Sequence, residues 1–163
     1  MPAYPTDLAP DAPFAEVAAA LAAIIRAAHP TLRTISEADA SRPKAPGKWS
    51  TKQILGHLID SAANNHQRFV RVQESASLTF PGYEQDLWVR VQRYETHAWS
   101  TIVDLWASYN QHLVHVIRHI PDAEAQKPCV VGSNQPQSLH ALVRDYVGHI
   151  QHHLHQIGEF HPF

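Results

Sequence analysis

The sequence predicts an all-α domain, a four-helix bundle in which long crossover loops join some of the helices. Four segments of about 15 to 24 residues repeat apolar side chains at spacings of three and four, the period of an amphipathic helix. No segment alternates convincingly between apolar and polar residues, as a half-buried strand would. The chain has 163 residues, 44% of them hydrophobic, which is enough to bury one core. We therefore expect a single domain over residues 1–163.

The first helix follows a proline-rich stretch. Residues 1–13 contain four prolines and are predicted to form an extended arm. An apolar stripe then predicts a helix over 14–28. His29 precedes Pro30, and a residue before proline is driven away from the helical conformation, so we expect the helix to end there. Residues 31–40 would add another turn or two.

The second and third helices have recognisable ends. Ser50 and Gln53 have the spacing of a capping box, in which each side chain accepts a hydrogen bond from the other residue's backbone amide. The apolar pattern that follows continues to about Gln73. A third helix is predicted over about 96–119, and Pro121 ends it.

The fourth helix is predicted to begin at Ser138, a favourable N-cap residue, and to run to about Glu159. Long connections over 74–95 and 121–137 precede the third and fourth helices. Loops of this length are uncommon in a compact domain unless they serve a function. The first connection is rich in side chains suited to chemistry, namely Tyr83, Asp86 and Trp88.

Charge and cysteine content exclude several classes of protein. Thirteen Lys and Arg residues stand against fifteen Asp and Glu, with no basic run, so we expect no nucleic-acid partner. Cys129 is the only cysteine, which excludes an internal disulfide and a cysteine-based zinc site. The apolar run over 17–28 includes Arg26, and no stretch approaches the roughly 20 apolar residues of a membrane span. We expect a soluble, cytoplasmic protein that binds no membrane.

Position selects three of the thirteen histidines as a candidate metal site. His149 and His153 lie one turn apart on the core-facing edge of the fourth helix, and His57 lies at the edge of the second helix's apolar face. Three imidazoles with one open position are typical of a catalytic site for a divalent metal. An all-imidazole set suits zinc, nickel, copper or iron better than magnesium or calcium. The alternative is chance, since His115 and His119 share the spacing without comparable polar neighbours.

A polar stripe flanks the apolar face of the second helix, as expected for a helix that lines a cleft. Its members follow at i, i+4, i+7 and i+11 and are His57, Ser61, Asn64 and Arg68. We expect Ser61, Asn64 and Arg68 to contact a small-molecule substrate, with Asn64 and Arg68 holding its anionic group. Tyr83 and Asp86 would shape the entrance. Three residues are candidates to orient the metal-binding imidazoles, namely Asp60, which could instead be a further ligand, Asp145 and Gln156.

Three pieces of the sequence together resemble the DinB-like (YfiT-like) family of metal-binding four-helix bundles. They are GKWS at 47–50 leading into HLIDSAANNHQRF at 57–69, PGYEQDLW at 81–88, and HIQHHLHQI at 149–157. The resemblance covers about residues 13–160 and implies a bundle of unusual connectivity, often a homodimer. Its metal, commonly nickel or zinc, would lie on the same three histidines. Leu154 and His155 depart from the family's His-His-Arg-Gly-Gln run.

Members of this family with assigned activities resemble S-transferases or isomerases that use low-molecular-weight thiols, and others are labelled metal-dependent hydrolases. The leading hypothesis is therefore metal-dependent transfer of such a thiol to a small electrophile. The nucleophile would be a thiolate or water activated by the metal, with no side-chain nucleophile. Metal-assisted hydrolysis is the alternative, although no carboxylate pair stands at a recognisable spacing. A metal- or ligand-binding module without turnover, and a purely structural metal, are further possibilities.

Overall fold

The computed structural model describes residues 8–9 and 11–158, so most of the predicted arm over 1–13 lies outside the described residues. The chain is mostly helical, and three very short strands lie in its two long connections. The helices are α1 (Phe14–Thr34), α2 (Glu37–Ser41), α3 (Thr51–Arg71), α4 (Gln85–Gln92), α5 (Trp99–Arg118) and α6 (Leu139–Ile157). The strands are β1 (Leu78–Phe80), β2 (Pro128–Val131) and β3 (Gln137–Ser138).

The four long helices α1, α3, α5 and α6 form the predicted bundle. α1 packs against α5 and α6, and α3 packs against the same two helices. Two of the three pairs of consecutive long helices therefore lie diagonally across the bundle, α1 from α3 and α5 from α6, whereas α3 and α5 are neighbours. A diagonal neighbour can be reached only by a connection that crosses the end of the bundle, as the segments between α1 and α3 and between α5 and α6 do. The core between the four helices is filled by large buried side chains, among them Phe14, Leu21, Leu55, Phe69, Trp106 and Tyr146.

The predicted end of the first helix at His29-Pro30 is wrong. α1 continues through Pro30 to Thr34. Continuing the helix keeps Leu32 fully buried, and the Leu32 carbonyl accepts a hydrogen bond of 3.0 Å from Trp99 Nε1. Tertiary packing thus outweighs the penalty of about 3 kcal/mol for proline inside a helix. The further turn expected after residue 31 is divided between the end of α1 and α2.

α1 is also long and apolar enough to cross a membrane, judged by length and composition alone. The sequence reading did not expect any such segment. The apolar face of α1 is buried, however, and includes Phe14, Leu21 and Leu32. It packs against α5 and α6, as the core helix of a soluble protein does. The cytoplasmic location stays a prediction.

The two long connections meet in a small sheet that the sequence reading missed. β1 pairs in parallel with β2, and β2 pairs antiparallel with β3. Strands of two to four residues are too short to show an alternating pattern. Cys129 lies in β2 with no exposed surface, and burial raises the pKa of its thiol. The sheet ties the connection before α5 to the connection before α6.

α3 begins as the sequence predicts and positions most of the candidate site. Ser50 Oγ accepts from the Gln53 amide at 3.3 Å, and Gln53 Oε1 accepts from the Ser50 amide at 2.9 Å. The helix ends at Arg71, and a single 3-10 turn extends it to Glu74. Its buried residues include polar side chains on the faces toward α6 and the α4 segment, namely His57, Asp60, Ser61, Asn64 and Arg68.

Two helical glycines give a matched test of this packing. A Cβ at Gly56 would lie 2.3 Å from the Tyr94 ring, whereas a Cβ at Gly148 would meet no atom within 4 Å. We expect Gly56→Ala to lower the free energy of unfolding by about 1–3 kcal/mol because Tyr94 must move. Gly148→Ala is expected to raise it by up to about 1 kcal/mol, the helix-propensity gain. Urea denaturation measures both, and equal stability of the two variants would contradict the packing described.

Candidate metal centre

Three imidazoles meet where α3 packs against α6. α3 carries His57, and α6 carries His149 and His153 one turn apart. One ring nitrogen from each of the three lies within 4.8 Å of the other two. His57 Nε2 is 3.1 Å from His149 Nε2, and the His153 ring centroid lies 4.8 Å from that of His57. The structure thus brings together the three residues that helical phase selects.

The cluster fits a transition metal by geometry and by charge. In a tetrahedral site with Zn–N distances of about 2.0–2.1 Å, ligand nitrogens lie about 3.3 Å apart. Burial is the main cause that lowers the pKa of His57 to about 4 and of His149 to about 3. Burial likewise lowers the pKa of His153. The rings are therefore neutral near pH 7, the form of imidazole that binds a metal.

The second nitrogens of two of these rings are held by polar neighbours. His153 Nδ1 donates to Gln156 Oε1 at 3.0 Å, which leaves Nε2 directed to the cluster. His149 Nδ1 is 3.3 Å from Ser61 Oγ. His57 Nδ1 is buried and has no hydrogen-bond partner among the described residues. Gln156 therefore stands where the sequence predicts an orienting residue. Ser61 lies where it can orient His149, and its predicted contact with substrate stays a prediction.

The other two predicted orienting residues do not contact the cluster. Asp60 Oδ1 accepts from Tyr94 Oη at 2.7 Å and from Gln92 Nε2, so this carboxylate joins α3 to the end of α4. Asp145 is exposed, and no hydrogen bond among the described residues links it to an imidazole. Helical phase shows which face a residue occupies, but the neighbouring element decides what it touches. For Asp60 that neighbour is the α4 segment rather than α6.

Aromatic side chains from the flanking segments enclose His57. The Tyr83 ring lies 6.5 Å from the His57 ring and 4.8 Å from Trp88. Trp49 lies 5.2 Å from the His57 ring on another side. Trp49 is not among the predicted site residues, yet it is half-buried and its ring lies beside a ligand candidate. Its place directly before the N-cap Ser50, two turns ahead of His57, is the signal that could have found it.

Arg68 lies beyond these aromatics as a buried cation without a counter-ion. Only 7% of the residue is exposed, and it forms no ion pair with any carboxylate of the described residues. Its guanidinium donates to Asn65 Oδ1 at 3.2 Å and lies 5.3 Å from the Phe80 ring centroid. Nε has no hydrogen-bond partner in the part of the chain that the structure describes. Arg68 is eleven residues after His57, about 16 Å along α3, at the other end of the polar stripe.

Two cavities lie on either side of α4. The first has a volume of about 460 Å³ and is lined by Asn64, Tyr83, Phe80 and Trp88. The second, of about 470 Å³, reaches His153 and Gln156 and contains Asp86. Tyr83 and Asp86, both predicted at the entrance, therefore border different cavities. Sequence reasoning did not foresee the remaining polar lining of the second cavity, Lys44, Lys48 and Gln85.

A sequence model of the DinB superfamily matches residues 20–157, which carry the whole three-histidine cluster. The chain belongs to the DinB superfamily. This confirms the resemblance drawn from the three sequence pieces. The departures of Leu154 and His155 from the family's usual run lie outside the cluster itself.

Two curated relatives are distant from this chain in sequence, and one solved structure has a similar fold. A protein of Oceanobacillus iheyensis, provisionally named a metal-dependent hydrolase, is 23% identical over 78% of this chain and 73% of its own length. A Bacillus mycoides protein with the same provisional name is 22% identical over 75% and 70%. YfiT from Bacillus subtilis, described as a probable metal-dependent hydrolase with an unusual four-helix bundle topology, superposes with a TM-score of 0.76. It is 18% identical, and the match covers 88% of this chain and 81% of YfiT.

Metal analysis tests the cluster directly. We expect the purified protein to retain about one equivalent of a transition metal, and His57→Ala and His153→Ala to lose it, because two imidazoles leave a site of this kind incomplete. His115→Ala is the control, since its ring lies 4.3 Å from His119 in the same i, i+4 arrangement on the exposed face of α5. Mass spectrometry of metals after dialysis gives the stoichiometry. Loss of metal in the His115 variant, or retention in both others, would contradict this assignment.

The hydrogen bond between Ser61 Oγ and His149 Nδ1 leads to another prediction about the metal site. Ser61→Ala removes the partner of His149 Nδ1, and we expect metal affinity to fall about 10- to 100-fold, the usual effect of losing such support. Asn65 Nδ2 retains its 3.0 Å bond to the Ser61 carbonyl, so α3 should stay intact. Competition with a chromophoric chelator measures the affinity. Ser108→Ala on the exposed face of α5 should leave it unchanged.

Proposed function

We propose that this protein is a divalent-metal-dependent enzyme that transfers a low-molecular-weight thiol to small electrophiles. The proposal is carried by the cluster of three neutral imidazoles, one of which, His153, lines a cavity of about 470 Å³. The provisional names of the two curated relatives and of YfiT support metal-dependent enzyme chemistry in general. Nickel or zinc suits an all-imidazole set.

In such an enzyme some residues of the site would bind the metal and others would orient the metal ligands. A divalent cation held there would lower the pKa of a thiol or a water near it, so that the nucleophile forms near neutral pH. His57, His149 and His153 would hold the cation. Ser61 and Gln156 would keep two of the rings in place, as their hydrogen bonds to the second nitrogens indicate.

Arg68 and Asn64 would hold the anionic group of the thiol. A buried charge without a partner is costly, so a site for an anion beside the Arg68 guanidinium is favoured. The cavity that contains Asn64 and Tyr83 is also lined by Phe80, whose ring centroid lies 5.3 Å from the Arg68 guanidinium. The Tyr83 ring lies 6.5 Å from the His57 ring. A thiol with its sulfur at the cluster and its carboxylate at Arg68 would therefore extend past Tyr83.

Metal-dependent hydrolysis is the second candidate, and Asp86 favours it. This carboxylate borders the cavity that reaches His153 and could accept a proton from an attacking water. The names of the relatives support the same reaction class. A binding module without turnover would use the same cluster with a stable ligand in the open position.

We further propose that the protein works as a cytoplasmic homodimer. Leu87 and Val91 stand one turn apart on α4 with 43% and 62% of their surfaces exposed. Contiguous apolar surface on a helix is typical of a protein interface. Because α4 separates the two cavities, such an interface would lie close to the site.

Turnover with a panel of thiols tests the function. We expect the metal-loaded protein to join thiols to monochlorobimane, and the metal-free protein to be inactive. Arg68→Gln should raise the KM for glutathione about tenfold or more, because a hydrogen bond to a charged group is lost. The KM for cysteamine, which has no carboxylate, should not change. Arg71→Gln is the control, since Arg71 is exposed and bonded to Gln67 on the same helix.

Other outcomes of this experiment discriminate among the candidates. Metal-dependent cleavage of p-nitrophenyl acetate without thiol transfer would support the hydrolase. Absence of both reactions from a fully loaded protein would support the binding module. Equal effects of Arg68→Gln on glutathione and cysteamine would exclude Arg68 as the anion site.

A further inference from the structure

The cavity that reaches His153 has features that the proposed thiol site does not use. We propose that it binds the second reactant, an electrophile with an apolar body and one carboxylate, and that Lys48 is the residue that selects the carboxylate. The inference rests on the proposed transfer reaction. It concerns Lys44, Lys48 and Trp49, none of which is among the site residues predicted from the sequence.

The charges in this cavity favour an anion. Lys44 Nζ donates to the Gln156 carbonyl and, at 2.7 Å, to the Ile157 carbonyl, which fixes its ammonium at the end of α6. The Lys48 ammonium forms no hydrogen bond or ion pair among the described residues. Asp86 is the one carboxylate in the described lining. The described lining thus includes two lysines and one carboxylate, in a chain whose net charge is −2.

The apolar part of the lining leads toward the cluster. Trp49 and Ile54 form one wall, and the Trp49 ring lies 5.2 Å from the ring of His57. The volume of about 470 Å³ lies within the range of small-molecule sites. A flat apolar body can therefore lie against the indole with its carboxylate at Lys48. In that position its other end reaches the side of the cluster formed by His153.

The two cavities are separate, which suits a reaction of two substrates. Asp86 and Trp88 are two residues apart on α4, yet Asp86 borders the cavity at His153 and Trp88 borders the cavity at Asn64. None of the three histidines lines the cavity at Asn64. A thiol that extends from the cluster toward Arg68 would leave the cavity at His153 open. Each reactant then has its own cationic residue.

The bond changes of the transfer need no group beyond the two reactants. The thiolate sulfur attacks the electrophilic carbon, the carbon–sulfur bond forms, and the bond to a halide leaving group breaks with its electron pair. The thiol proton passes to solvent. Lys48 takes no part in these bonds and acts as a specificity-determining residue by holding the carboxylate.

Two nearly isosteric electrophiles test the role of Lys48. With the metal-loaded protein and saturating glutathione, we expect Lys48→Gln to raise the KM for 4-(bromomethyl)benzoate about fivefold, the loss expected for one partly exposed ion pair. The KM for neutral 4-(bromomethyl)benzamide and the KM for glutathione should change less than twofold. Arg118→Gln removes one positive charge from the exposed end of α5, outside both cavities, and should have no effect.

Equilibrium binding separates this inference from the proposed reaction. Calorimetric titration with unreactive 4-methylbenzoate should show binding to the metal-loaded protein, weakened about fivefold by Lys48→Gln and unchanged by Arg118→Gln. This result supports the inference even if neither electrophile is turned over, an outcome that would reject only the transfer reaction. Absence of binding, or equal weakening in both variants, overturns the inference whether or not the protein is an S-transferase.

Discussion

The contact between α3 and α6 is the interaction on which the candidate site depends. It removes His57 and His149 from water and so keeps their rings uncharged at neutral pH. Desolvation of polar groups is unfavourable unless hydrogen bonds replace those to water. Ser61 and Gln156 supply such bonds for two rings, whereas the second nitrogen of His57 stays unpaired among the described residues. Burial of this unpaired nitrogen is locally unfavourable, and it accompanies an arrangement in which one nitrogen of each histidine lies near the other two.

Two further polar side chains of α3 are buried with incomplete hydrogen bonding among the described residues, which is also unfavourable. Asp60 is buried, with one oxygen bonded to Tyr94 and Gln92 and the other unpaired within 8–9 and 11–158, and burial raises its pKa. Arg68 is buried three turns from His57 and has no counter-ion in the described part of the chain. Burying these charges contributes little to stability by itself. Their concentration on one helix, facing the α4 segment, is more consistent with recognition of a ligand than with packing.

Periodicity made the bundle and the histidine cluster predictable from the sequence. Helices of about 20 residues repeat their pattern often enough to reveal both the apolar face and its polar edge. Sequence patterns did not predict the features that depend on contacts between distant segments. Packing of Leu32 carries α1 through Pro30, and strands of two to four residues leave no readable pattern. The role of Trp49 and the partners of Asp60 depend on which element covers them, which no single segment encodes.

The order of the helices along the chain has a consequence for folding. His57 and His149 are 92 residues apart in the chain, and α4, α5 and the small sheet all lie between them. An ion bound by both would close that whole loop as a cross-link, and the chain entropy it removes from the unfolded state grows with the length enclosed. Ligands from distant segments form a site only in the folded chain, so binding free energy adds to folding free energy. The three histidines proposed to hold the catalytic metal would thus also cross-link α3 to α6 and stabilise the folded bundle.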